Sequence, residues 1–164
     1  MKKIDVRTIA INAVIAAIYA ALTIGLAPIS YGQVQMRVSE MMIFLAFYNK
    51  KYIPGLVLGC FIANIPSSLG AYDMVFGTFA TLLAVIAMNK VSNRYVGGLL
   101  GGLINGLIVG LELTIAFRTQ IPFSTQFMLN AVYVFIGEAV VLEIGAFLFG
   151  LVEKNQPVMK FIKA

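Results

Sequence analysis

The 164-residue chain contains no histidine, no tryptophan and a single cysteine. Without histidine, a Ser-His or Cys-His catalytic pair and the common imidazole metal sites are excluded. Cys60 cannot form an internal disulfide, and its place in an apolar run marks it as an inert core residue. No Gly-x-x-x-x-Gly-Lys-Ser/Thr phosphate loop occurs, so ATP is not bound by that route. Charge is scarce as well. Charged residues make up 12% of the chain, about half of what soluble domains carry.

What is present is apolar: 60% of residues, with a mean hydropathy of +0.93. A chain this short cannot hide that much apolar surface against itself. Most of it must face lipid. That excludes a cytosolic enzyme, a nucleic-acid reader and a disordered tail, and no cofactor is called for.

A hydrocarbon core takes about 20 helical residues to cross. Six candidate spans follow, at 8–27, 35–48, 53–69, 73–89, 95–117 and 127–152. The expected fold is thus an all-α membrane protein of six transmembrane helices, one compact domain over 1–164. Pro54 suits the first turn of the third span, and Pro66 with Ser67-Ser68 marks its end. Asp73 stands where an N-cap for the fourth belongs.

The short loops set the orientation. Lys2, Lys3, Arg7, Lys50, Lys51, Lys90, Arg94, Lys154, Lys160 and Lys163 fall on one side of the six spans. Arg37 and Arg118 fall on the other. The positive-inside rule places both termini in the cytoplasm.

Small residues recur every fourth position. Ala13, Ala17 and Ala21, with Ala16 and Ala20 beside them, make a strip down the first span. Gly98, Gly102, Gly106 and Gly110 do the same in the fifth, and Gly55 and Gly59 in the third. Such spacing lets helix backbones approach closely in lipid. The glycine strips read as packing within the bundle. The alanine strip reads equally as a docking face for another subunit.

Ionisable groups within the membrane are costly, roughly 2.5–3.5 kcal/mol at mid-bilayer, and so mark function. Arg37 and Glu40 open the second span and could pair with each other; Asp73 opens the fourth; Glu112 ends the fifth. Glu138 lies about 16 Å into the sixth at 1.5 Å per residue, too deep for a short carboxylate to reach water. Asn105 shares a helix face with Glu112, and Asn130 with Glu138, Tyr133 lying close by. If those faces meet, they form an outward-opening acidic pocket, with Arg37 opposite and Tyr31, Phe76, Phe127 and Tyr133 around it. Gln33 and Gln35 are candidate lid contacts. Glu143 points away from Glu138 and has no assigned role.

Three stretches carry a family resemblance: Ala27-Pro28-Ile29-Ser30-Tyr31-Gly32 leading to Gln35-Met36-Arg37-Val38-Ser39-Glu40; Ile53-Pro54-Gly55-Leu56 leading to Gly59-Cys60 and Ala63-Asn64; and Asp73 before Phe76-Gly77-Thr78 and Ala80-Thr81-Leu82. Over residues 8–152 the chain resembles the QueT family, queuosine-precursor substrate-binding components of energy-coupling factor transporters. The resemblance implies a six-helix subunit of a prokaryotic plasma membrane. Such a subunit binds its ligand from outside, docks on a transmembrane coupling subunit joined to two cytoplasmic ATPases, and tips in the membrane to release the ligand inward. It implies no enzyme activity of its own. It implies docking through Ala13, Ala17 and Ala21, with Ala16 and Ala20 beside them.

The implied ligand is a 7-deazaguanine. Its ring N–H and exocyclic amine can both be accepted by one carboxylate, Glu138 first and Glu112 second. Asp73 or Glu40 would take an aminomethyl cation. Asn105 and Asn130 would meet the carbonyl and ring nitrogen, Tyr133 and Phe76 would stack, and Arg37 would fix Glu40. Two rivals stand beside this reading: a binding component for another vitamin (a flavin, thiamine or biotin), and a small proton-coupled carrier using Glu112, Glu138 and Glu143.

Overall fold

The computed structural model describes residues 5–164, and these are all-helical. Lys2 and Lys3 lie outside the described residues. Three helices are long and apolar enough to cross a membrane: α1 (Val6–Gly25), α6 (Arg94–Ala116) and α7 (Phe123–Val152). Between them come α2 (Ala27–Ser30), α3 (Phe44–Tyr48), α4 (Ile53–Asn64) and α5 (Thr78–Met88), and α8 (Gln156–Lys163) closes the chain.

The long helices start and stop where local chemistry dictates. The Asn93 side chain accepts from the backbone N–H of Tyr95 and Val96, capping α6. Pro122 sets the start of α7 at Phe123, four residues before the expected 127. The chain breaks at Leu26, ahead of Pro28 in the first turn of α2, so α1 ends before the expected 27.

The shorter segments depart further from expectation. The span foreseen at 35–48 winds only from Val38. Gln35 sits in the left-handed region (φ 45°) and Arg37 is extended. Val38–Ile43 is a 3₁₀ stretch before α3. Side chains three apart eclipse in that winding, so Glu40 and Ile43 both turn inward. The span foreseen at 53–69 stops at Asn64, because Pro66 cannot extend the hydrogen-bond ladder. The twelve residues of α4 rise about 18 Å, well short of a bilayer core of about 30 Å.

Asp73 is not an N-cap. The backbone is already helical at Tyr72, and Asp73–Gly77 forms a π-helical turn leading into α5. Its carboxylate turns inward, because a buried guanidinium must have a counter-charge.

The α6–α7 interface is the most extensive in the bundle. A Cβ at Gly106 would stand 2.8 Å from the Ala131 carbonyl oxygen, and one at Gly110 would stand 2.6 Å from the Ala131 Cα. On the other side of α6, Leu99, Leu103 and Leu107 remain about half exposed. Apolar residues facing outward with glycines facing inward suit a lipid solvent. Gly59 plays the same part between α4 and α1, where a Cβ would meet Tyr19 and Ala16.

Ala16 and Ala20 are therefore buried against the chain's own bundle, 2% and 6% exposed. Of the five alanines expected on a docking face, only Ala13, Ala17 and Ala21 lie open.

One end of the bundle collects most of the described basic residues. The Arg7 guanidinium lies 5.9 Å from the Phe161 ring, Arg94 pairs with Glu153, and the Asn49 amide donates to the Ile162 and Lys163 carbonyls at 3.2 and 3.3 Å. Helix α8, which no sequence pattern above identified, lies here. Asn155 caps it, and it buries Met159 and Ile162 while leaving Val158 and Phe161 outside. At this end the core is apolar, built on Ile43, Phe44, Leu56, Met88 and Leu142. The opposite end, where the loops at 31–37, 65–72 and 117–122 converge, is different.

Candidate functional site

Above the apolar core lies a layer of buried polar side chains. Among the described residues Arg37 is its only cation, and it is 3% exposed. Its Nη2 lies 3.7 Å from Asp73 Oδ1, its Nε donates to the Ser30 carbonyl at 3.4 Å, and its guanidinium lies 5.8 Å from the Tyr31 ring. Asp73 also accepts from the Ser67 hydroxyl, and its backbone carbonyl accepts from the Asn64 amide at 2.8 Å. The π-helical turn places Gly77 against Asn64 and Arg37, where a Cβ would come within 2.8 Å of the Asn64 amide nitrogen.

Glu40 does not pair with Arg37. Among the described residues the ion pairs are Arg37–Asp73 and Arg94–Glu153. The Tyr19 hydroxyl and the Thr81 hydroxyl, the latter at 2.7 Å, both donate to Glu40 Oε1. That ties α1 and α5 to the 3₁₀ stretch. The pairing of residues three apart fails because the backbone at Arg37 is extended, not helical.

Glu112 and Glu138 are buried, 0% and 2% exposed. Neither oxygen of Glu112 has a hydrogen-bond partner among the described residues, nor does Glu138 Oε2 or Glu40 Oε2. Glu112 stands beside Asp73, and Glu138 within electrostatic reach of Glu40 and Arg37. Arg37 thus sits among the carboxylates, not across a pocket from them. Four carboxyl groups to one guanidinium make the layer rich in acceptors and poor in donors.

A cavity of about 340 Å³ opens over this layer at the loop end, a size suited to a small ligand. Asp73 is in its wall, with Tyr31, Gln35, Gln126, Asn130 and Tyr133, whereas Arg37, Glu40, Glu112 and Glu138, all expected in the pocket, do not line it. Asn130 is half-buried and donates to the Thr114 hydroxyl at 3.0 Å. Tyr133 is 47% exposed, with its ring at the cavity. Gln33 and Gln35 both line it, in keeping with their place in the first loop.

Other residues of the expected pocket lie elsewhere. Asn105 shares the inward face of α6 with Glu112, but its amide donates to the Gly101 carbonyl of its own helix at 3.2 Å. Phe76 stacks on Tyr72 with ring centres 6.4 Å apart, and neither it nor Phe127 lines the cavity. Glu143 lies against Gly98 at the α6–α7 interface, away from the layer. Cys60 is buried as foreseen, but against polar neighbours: Arg37 Nη1 at 3.9 Å and Asn64 at 3.5 Å.

Several polar residues of the site were not singled out in the sequence. Tyr19 and Thr23 lie four apart on the buried face of α1, and the Thr23 hydroxyl is 2.6 Å from that of Ser39. Two hydroxyls on one face of an apolar helix were a readable signal. Gln126 is 8% exposed, accepts from Thr119 at 3.1 Å and donates to the Phe117 carbonyl, bracing the last loop. Only the fold brings that loop to the cavity.

An apolar helical bundle with outward-facing leucines and a ligand-sized cavity at one end defines the class: an all-helical membrane protein with a pocket beneath its loops. The profile of one protein family, described as QueT transporter, matches residues 9–154. A curated relative, the queuosine precursor transporter QueT of Lactococcus lactis subsp. cremoris (strain MG1363), is 35% identical, with 94% of this chain and 97% of the relative covered. No solved structure matches the chain. The chain belongs to the QueT transporter family.

Proposed function

We propose that the chain is the substrate-binding subunit of an energy-coupling factor type transporter and captures a 7-deazaguanine precursor of queuosine. The observation that carries this is the acceptor-rich layer beneath the cavity, with carboxylate oxygens on Glu112 and Glu138 left unpaired. Buried acceptors without partners are costly, so the layer suits a ligand that brings donors. A guanine-like edge brings two, side by side. Glu138 accepts them as a bidentate pair, and Tyr133 offers its ring to the flat heterocycle. The Lactococcus relative is named a queuosine precursor transporter.

The remaining arrangement follows. The shorter segments complete six crossings with the three long helices. The basic end faces the cytoplasm of a prokaryotic cell, so the cavity opens outward. The open face of α1, at Ala13, Ala17 and Ala21, meets a transmembrane coupling subunit carried by two ATPases. The subunit tips on that face to deliver its ligand inward.

The test is calorimetry on the purified chain in detergent. Aminomethyl- and cyano-7-deazaguanine are titrated, with riboflavin and guanine as controls. One-to-one binding of a deazaguanine is expected, with none of riboflavin. No binding of either deazaguanine by folded protein sinks the ligand assignment.

A further inference from the structure

Within the polar layer the five charged groups are not evenly balanced. Arg37 pairs with Asp73 at 3.7 Å, and Asp73 is further held by the Ser67 hydroxyl. Glu40 is held by two hydroxyls from α1 and α5. Glu138 has Arg37 within electrostatic reach. Glu112 also has Arg37 within electrostatic reach, but no ion pair and no hydroxyl holds it. It is fully buried, and both its oxygens lack a partner among the described residues. Its close charged neighbour is Asp73, another carboxylate.

The location is specific. Asp73 lies in the wall of the cavity, and so does Leu113, the residue after Glu112. Glu112 therefore stands just behind the wall, next to the one carboxylate that reaches it. Two carboxyl groups side by side, with one guanidinium already engaged by the first, want a second cation between them. A neutral ligand group would leave Glu112 unpaired.

We propose that Glu112, with Asp73, forms an ammonium-binding subsite of the cavity and makes the protein select a cationic deazaguanine over a neutral one. This rests on the reading that the ligand is a 7-deazaguanine, and it settles which substituent the ring must carry. A primary ammonium donates three hydrogen bonds and meets two carboxylates well. The ring edge is left to Glu138.

The experiment compares three ligands that share the ring: aminomethyl-, hydroxymethyl- and cyano-7-deazaguanine. The hydroxymethyl compound has nearly the shape of the aminomethyl one without its charge. On wild-type protein the aminomethyl ligand is expected to bind at least tenfold tighter than the hydroxymethyl. In Glu112→Gln that ratio is expected to shrink at least fivefold. A wild-type ratio near one, or tighter binding of a neutral ligand, overturns the proposal. A ratio that survives Glu112→Gln overturns the assignment to Glu112. The wild-type ratio decides the charge preference even where the variant does not fold. Failure of all three ligands to bind overturns instead the deazaguanine reading beneath it.

Discussion

The two ends of the bundle interior are built on opposite rules. At the basic end, Ile43, Phe44, Leu56, Met88 and Leu142 belong to one buried apolar cluster. Of the polar groups nearby, Tyr52 donates to the Ile162 carbonyl at 3.1 Å and Arg94 pairs with Glu153, while the Tyr48 hydroxyl has no hydrogen-bond partner among the described residues. At the loop end, side chains equally buried are charged, and several of their oxygens are unpaired. One half holds the helices together. The other keeps buried carboxylate oxygens without a hydrogen-bond partner among the described residues. A cost of this kind persists in a fold when the groups serve a function.

Phe44→Ala tests this division most severely. It empties the centre of the apolar half and is expected to cost about 3–5 kcal/mol. Thermal unfolding in detergent should show a large drop, while ligand affinity of the still-folded fraction stays near that of wild type. A matching loss of affinity would mean the halves are not separable.

Glu138→Gln makes the converse change. Ligand affinity read by calorimetry should fall about a hundredfold, on the order of 2.7 kcal/mol, as a charged acceptor becomes a neutral amide. Its melting temperature should hold or rise, since a buried carboxylate with an unpaired oxygen is removed. Early melting would make Glu138 a structural residue and break the contrast.

Gly110→Ala tests the seam joining the two halves. The added Cβ meets Ala131, so α6 and α7 must move apart, at a cost of about 1–3 kcal/mol. Melting should fall by an intermediate amount, and affinity should weaken as well, because Glu112 sits two residues further along the same helix. The smallest effect belongs to Arg94→Gln. This half-exposed pair with Glu153 contributes roughly 0.2–1 kcal/mol, and its loss should barely move the melting curve.

Much of this was legible from the chain itself. The long helices α1, α6 and α7 follow from unbroken apolar runs, and the glycine stripe of α6 announced its packing. The middle of the chain was harder. Residues 35–77 read as apolar runs, yet they fold into short pieces with 3₁₀ and π-helical turns. The reason lies in Arg37 and Asp73. Burying that pair sets the backbone on both sides of it, and hydropathy carries no trace of a partnership between residues far apart in sequence. Tyr19, Thr81 and Gln126 escaped notice for the same cause. Helix α8 escaped because eight residues rich in lysine read as a tail until Met159 and Ile162 find the core.

The sequence by itself determined the solvent, the helical class, the gathering of basic residues, and the residues too costly to bury without purpose. Those are properties of composition and of spacing along one helix, where neighbours are three or four residues apart. Tertiary structure alone decided which charges meet. It gave Arg37 to Asp73, gave Glu40 to Tyr19 and Thr81, turned Ala16 and Ala20 inward, and left Glu112 without a hydrogen-bond partner among the described residues. Electrostatic pairing depends on distance in space, and in a bundle that distance is set by how helices from different parts of the chain pack.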